Sequence, residues 1–333
     1  GSCWALLGVE NRDIFAGEAG KQLLRAVLRQ LRRGVFALPL ETDYAYYNQN
    51  EEIHLRYPIQ NTSHEAQSLQ LELRFESPGD PGEPIASITR SIVIPALSTQ
   101  TEEFSWSIPR NAPDFIKVTG IIRVENEKID QVHTGFCVAN QAVIANGPRL
   151  RYSDNAYHVS HADGTTQQVS LWGTDTYGNY FFSPSYSPWD WFQELQMMQD
   201  GGLHLFENLQ WNPQQRPFQE KHWRQLDGLI QLSQRFDLAY MAGLFIGQNV
   251  VTDDEELQAQ AEFCRQFAAR YKHVPGLIYY LNGDFQLRLK DTPDIRRRWN
   301  EFLQNRYSSI DKLRKSWNAD VPDFGEIPVA EAP

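Results

Sequence analysis

Leu277-Ile278-Tyr279-Tyr280-Leu281-Asn282-Gly283-Asp284 is the stretch on which the fold turns. An apolar run ends in an amide, a glycine and a carboxylate, and helical spacing over residues 294–317 follows a short polar loop. A buried strand that delivers a carboxylate at its C-terminal end, followed by a helix, is one unit of a (β/α) barrel. Chemistry in such barrels sits at that end of the strands. Asn282 and Asp284 suit sugar chemistry there, because an amide binds a hydroxyl and an acid can protonate a leaving oxygen. The same residue types also form ordinary turns, with Asp284 capping the next one.

Upstream, the same alternation recurs. Val169-Ser170-Leu171-Trp172-Gly173 reads as a strand whose end carries Asp175 and Tyr177. Pro188 opens a helix that runs to Asp200, where Gly201-Gly202 stops it. Leu203-His204-Leu205-Phe206 is a second strand, ending in Glu207 and Asn208 and later Trp211. A helix over 220–236 leads to a third strand over 238–246, which ends near Asn249. Asp253-Asp254-Glu255-Glu256 is an acidic start for a helix that continues to Tyr271. Strands alternating with helices predict an α/β region with a parallel sheet.

On that reading Asp175, Glu207, Asn208, Asn249, Asn282 and Asp284 lie at strand ends and face one cleft. Trp172, Tyr177, Tyr180, Trp189, Trp191 and Trp211 surround its rim. Aromatic rings stack on the apolar faces of sugars while carboxylates and amides take the hydroxyls, so the set is expected to bind substrate. Trp189 and Trp191 fall inside a helix start, where core packing is the plainer role. His204 reads as a packed core histidine.

The first half of the chain has a different period. Ile53, Leu55 and Tyr57 alternate with polar residues, as do Leu69, Leu71, Leu73 and Phe75. Ile88, Ile92, Ile94, Phe104, Trp106, Ile108, Val118, Ile122 and Val124 extend the pattern, and Pro78-Gly79-Asp80-Pro81-Gly82 punctuates it. Short alternating strands over residues 43–140 predict a β-sandwich. Residues 140–164, rich in Asn, Gly, Pro and His, read as a linker. Ahead of the sandwich, residues 4–9 read as a strand. Leu23, Leu24, Val27, Leu28 and Leu31 recur at helical spacing, with Gly34 at the C-terminal glycine position. The basic run Arg29, Arg32 and Arg33 then complements the helix dipole.

Composition excludes several classes. A net charge of −11 over 333 residues argues against a nucleic-acid partner. No window reaches the roughly 20 apolar residues of a membrane span. Cys3, Cys137 and Cys264 are too few and scattered for a disulfide framework or zinc site, and no histidine pair has ligand spacing. No metal and no cofactor is expected.

Three pieces carry a family resemblance. Trp172-Gly173-Thr174-Asp175-Thr176-Tyr177-Gly178 resembles a first barrel strand with its loop. Phe192-Gln193-Glu194-Leu195, the glycines before Leu203, and the run Phe302-Leu303, Arg306-Tyr307, Leu313, Trp317-Asn318 resemble later barrel segments. Together they resemble the family 42 beta-galactosidase-like enzymes of glycoside hydrolase clan A. The resemblance implies a mixed fold: residues 1–40 as the tail of a flavodoxin-like α/β segment, residues 43–140 as an immunoglobulin-like β-sandwich, and residues 165–333 as the first half of a (β/α)8 TIM-type barrel. It also implies a retaining β-glycosidase acting on an oligosaccharide or polysaccharide, with Asp284 as acid/base. The family carries Asn-Glu where this chain reads Asn282-Gly283-Asp284, and places its nucleophile on a seventh strand. Four units cannot close an eight-stranded barrel. The chain therefore reads as a fragment or partial barrel, completed by the remainder of its own polypeptide or another copy. The alternative is a non-catalytic carbohydrate-binding or scaffold protein on a degenerate barrel.

Overall fold

Period-two alternation builds the first half of the molecule. The computed structural model describes residues 13, 16–79, 82–161, 163–176, 186–209, 219–244, 254–280 and 291–329. A first helix, α1 (Glu18–Arg33), ends at Gly34, whose φ of 68° places it in the left-handed region that favours glycine. Strands β1 (Val35–Ala37), β2 (Glu41–Thr42), β3 (Tyr46–Tyr47), β4 (Glu52–Asn61), β5 (Gln67–Glu76), β6 (Ala86–Ile94), β7 (Ser98–Ser107), β8 (Phe115–Val124) and β9 (Glu127–Val138) follow.

These strands form two sheets. In one, β4 pairs with β7 on one edge and with β1 and β2 on the other. The second has the order β3-β9-β8-β5-β6. Every second residue of β4 and β5 is buried: Ile53, Leu55, Tyr57 and Ile59 meet Leu69, Leu71, Leu73 and Phe75 in one core. Phe75 stacks on Trp106 with ring centroids 4.2 Å apart. The result is a β-sandwich. Its pairing begins at Val35, ahead of residue 43, because β1 and β2 both lie along β4. The expected strand over residues 4–9 lies outside the described residues.

The outer face of β5 carries a charge network. Glu72 takes hydrogen bonds from Arg74 on its own strand and from Arg123 on β8, the latter at 3.1 Å. Burial alone would raise the Glu72 carboxyl, but the two guanidinium groups outweigh it and hold it below the usual range. A carboxyl depressed on folding contributes stability above its unfolded pKa of about 4.3, and loses it as pH falls through the folded value. The fall in unfolding free energy on acidification below about pH 4.3 should therefore be shallower in Glu72→Gln than in wild type. Denaturant titrations across that range check it.

Residues 140–164 correct the linker expectation. Helix α2 (Gln141–Ala145) is capped by the Asn140 side chain, which accepts from Ala142 and Val143. Strands β10 (Arg149–Ser153), β11 (Ala156–Ser160) and β12 (Thr166–Val169) then form an antiparallel meander. Asp154 and Asn155, at φ 52° and 59°, supply the two left-handed residues of a tight hairpin turn. The residues that read as linker punctuation are hairpin chemistry. Val169 belongs to this meander, and the first parallel strand is β13 (Gly173–Thr176), not residues 169–173.

The α/β region continues through α3 (Pro188–Asp200), β14 (Leu205–Leu209), α4 (Glu220–Arg235), β15 (Ala239–Gly243), α5 (Asp254–Tyr271) and β16 (Leu277–Tyr280). The four strands are parallel and sequential, β13-β14-β15-β16, the arrangement of half a barrel. The helix expected over 294–317 is two: α6 (Pro293–Tyr307) and α7 (Ile310–Trp317). Ser308 turns left-handed at φ 62°, and the Ser309 hydroxyl caps α7. Serines end helices because their side chains compete for backbone groups.

Sandwich and parallel sheet share a core. Ala45, Phe115 and Cys137 of the sandwich side pack with Trp191 and Phe192 of α3 and Leu226 and Leu229 of α4. Gly228 of α4 lies so close that an added Cβ would stand 3.2 Å from the Ala45 carbonyl oxygen. The buried Gln231 side chain brackets the same junction. It accepts from the Asn140 amide and donates to the Asp114 and Val138 carbonyls, each at 2.9 Å. Arg235 pairs with Asp114, and Arg224 pairs with Glu51 while lying 4.2 Å over the Tyr44 ring.

Candidate functional site

The parallel register decides which strand-end residues share a face. Asp175 on β13 is level with Glu207 on β14, Glu207 with Met241 on β15, and Met241 with Ile278 on β16. Side chains alternate along a strand, so this row points to one side of the sheet. The intervening row, Thr174, Phe206, Tyr240 and Leu277, points to the other.

Burial tells the two sides apart. Phe206, Tyr240, Ala242 and Leu277 pack into the core with side chains of α3, α4 and α5. Phe206 and Tyr240 stack with centroids 4.8 Å apart, and Tyr279 meets Phe267 of α5 edge-on. Asp175 is exposed, and Glu207, Met241 and Ile278 are half-buried. The row with the carboxylates therefore faces away from the helices, the side that lines the interior in a closed barrel.

Asp175 and Glu207 come together on this face near the C-terminal end of adjacent strands. Strand spacing starts their side chains about 4.8 Å apart. Two carboxylates at that separation can take neighbouring hydroxyls of one sugar ring, or act on opposite sides of a glycosidic oxygen. Gly173, two residues before Asp175, leaves room for Leu205: a Cβ there would stand 2.6 Å from Leu205 Cδ1, so that side chain would have to shift. One row nearer the C-terminal edge, Leu209, Gly243 and Tyr280 are level. Tyr280 therefore shares the face and can supply a ring. Sequence reading missed it; stepping by two along β16 from the row of Glu207 finds it.

Asn208 is placed differently. It lies on the helix side, fully buried, with its Nδ2 donating to the Thr176 carbonyl at 3.3 Å and to Thr176 Oγ1 at 3.0 Å. Thr176 Oγ1 in turn donates to the Glu207 carbonyl at 2.6 Å. Asn208 thus fixes the ends of β13 and β14 and does not share the face of Asp175.

The expected rim is also redistributed. Trp172 precedes β13 and sits at the N-terminal end of the sheet, 64% exposed, its amide donating to His204 Nδ1. Trp191 is buried in the core, and Trp189 stacks on Phe192 beneath the Lys117 ammonium. His204, before β14, is half-buried. Tyr177, Tyr180, Trp211, Asn249, Asn282 and Asp284 lie outside the described residues.

Burial raises the Tyr279 phenol and pushes the Tyr240 phenol well above its ordinary value, so neither releases a proton near neutrality. Among the described residues no cluster of three or more His, Cys, Asp or Glu side chains could hold a metal ion.

No protein-family model and no curated protein sequence matches this chain. Among solved structures it is similar to a glycosyl hydrolase family 2 member from Bacteroides cellulosilyticus, at 13% identity and TM-score 0.31, over 82% of this chain and 34% of that one. It is also similar to Bacteroides uniformis beta-glucuronidase 2, at 13% identity and TM-score 0.34, over 83% of this chain and 32% of that one. A beta-glucuronidase from glycoside hydrolase family 2 matches over 74% of this chain and 23% of its own length, at 13% identity and TM-score 0.31. The chain spans about a third or less of the length of these structures. Two of the three are named as family 2 structures, where the sequence pieces pointed to family 42. Likenesses this slight carry no argument about what the chain does.

Proposed function

We propose that the C-terminal edge of the parallel sheet binds an oligosaccharide or polysaccharide, and that the chain is part of a glycoside hydrolase-type protein. The observation that carries this reading is the level pair Asp175 and Glu207 on the face turned away from the helices. Tyr280, on the same face, adds a ring to the two acids. In the sequence Tyr177, Trp211, Asn249, Asn282 and Asp284 follow the four strands, and each extends the set with a stacking ring, an amide or an acid. In this reading Asp284 is the proton donor of a retaining β-glycosidase whose nucleophile is supplied by further barrel strands. The departure at Asn282-Gly283-Asp284 supports the second reading, a barrel that binds sugar without cleaving it, because a shorter acid displaced by one residue misplaces the proton.

Calorimetric titration of the chain with a panel of β-linked oligosaccharides tests the binding reading. At least one should bind. Loss of a charged hydrogen-bond partner costs roughly 1.5–3 kcal/mol, so Asp175→Asn and Glu207→Gln should each weaken binding about 10- to 100-fold. Equal affinities in wild type and both variants would remove the site from this edge.

A further inference from the structure

A chain of polar side chains crosses the outer face of the second sandwich sheet, and its two ends fix the direction of every hydrogen bond in it. Lys128 on β9 can only donate, and its ammonium reaches Gln131 Oε1 at 3.1 Å. Gln131 therefore turns its amide nitrogen to His133 Nε2, 3.4 Å away. At the other end the Glu76 carboxylate on β5 can only accept, and takes the Thr119 hydroxyl of β8 at 2.7 Å. With its one proton spent there, Thr119 Oγ1 accepts from His133 Nδ1 at 3.2 Å. The ring must accept at Nε2 and donate at Nδ1, which is a neutral histidine with its proton on Nδ1.

This chain abuts the α/β region. Lys117 stands beside Glu76, nitrogen and carboxylate 3.9 Å apart, and lies 4.8 Å over the ring of Trp189 in the first turn of α3. Thr119 is buried and His133 half-buried. We propose that His133 is a pH switch for this contact between the sandwich and α3. Neutral, the ring closes the chain and Lys117 rests on Trp189. Protonated, it sets an N–H against the Gln131 N–H and adds a second cation beside Lys117, which drives that ammonium off the Trp189 ring. The charged groups facing His133 are Lys117 from β8, Glu76 from β5, Lys128 from its own strand and Asp190 from α3. Burial and the two lysines outweigh the two carboxylates and hold the ring below the usual histidine range. A histidine depressed on folding contributes stability that is full above its unfolded pKa of about 6.5 and is lost as pH falls through the folded value. The switch therefore acts in acid, at the helix that follows the Asp175 strand.

NMR of the histidine ring nitrogens and tryptophan indoles of the full chain tests this, with His133→Asn and Trp189→Phe assigning the two resonances. His133 should carry its proton on Nδ1 at neutral pH and titrate with a midpoint below about 6.5. The Trp189 indole resonance should move with the same midpoint in wild type and stay fixed over that range in His133→Asn. Lys117→Met, which removes the neighbouring cation, should raise the His133 midpoint and uncouple the Trp189 resonance from it. The loss of unfolding free energy on lowering pH through the same range should be smaller in His133→Asn than in wild type. A midpoint at or above about 6.5, a proton on Nε2 at neutral pH, or a Trp189 resonance that ignores the His133 titration would overturn the proposal.

Discussion

Gln231→Leu should destabilise the protein by about 3–5 kcal/mol, since each buried polar group left without its partner costs about 1–3 kcal/mol. The residue is 1% exposed and sits on α4, yet all three of its hydrogen bonds go to backbone beside the sandwich. Leucine is close to it in volume, so the cost is the loss of these bonds and not a cavity. The Asn140 amide and the Val138 carbonyl would then lose Gln231 at the packed junction, while the Asp114 carbonyl would keep only the Val138 amide. Chemical denaturation of the variant should show a single transition at lower denaturant. A loss below about 1 kcal/mol, within the range of one ordinary hydrogen bond, would mean that the junction is open to water.

The second large effect is at Gly228, where helix propensity and packing point in opposite directions. A glycine inside a helix ordinarily costs about 1 kcal/mol relative to alanine. Here a Cβ would stand 3.2 Å from the Ala45 carbonyl oxygen and 3.6 Å from the Trp191 ring, and the nearer atom is backbone. Gly228→Ala should therefore be close to neutral, the helix gain offset by a small displacement of the sandwich. Gly228→Leu should lose about 3 kcal/mol, the upper range for overfilling a packed junction. Thermal unfolding of the two variants distinguishes this from an exposed helix position, at which both substitutions would stabilise.

Much of this architecture was legible in the sequence, for physical reasons that differ by region. The sandwich core was readable because Ile53, Leu55, Tyr57 and the Leu69 to Phe75 alternation bury one face each, which fixes period and side together. Helix α3 was readable to the residue because Pro188 and the paired glycines mark its two ends. The meander was not, because the Asp154-Asn155 turn and the loop at Gly164 use the residues that also make linkers. The break between α6 and α7 was hidden because Ser308 and Ser309 interrupt the backbone without interrupting the apolar spacing.

The candidate site was legible as a list and not as a face. Asp175, Glu207 and Asn208 all end strands, but only the register separates the first two from the third. Consecutive residues on a strand point to opposite sides, so Glu207 and Asn208 could not both line one cleft. Trp172 fell to the wrong end because the first parallel strand begins one residue after it, at Gly173. Tyr280 was passed over since its strand reads as uniformly apolar, and only pairing with Gly243 shows which tyrosine faces the carboxylates.

The most direct measurement is a crystal structure of the chain soaked with the oligosaccharide that binds it best in titration. Density is expected on the helix-free face of the parallel sheet, with sugar hydroxyls within hydrogen-bond distance of Asp175 and Glu207. Density confined to the sandwich, to the helix side of the sheet, or to its N-terminal end near Trp172 would contradict it.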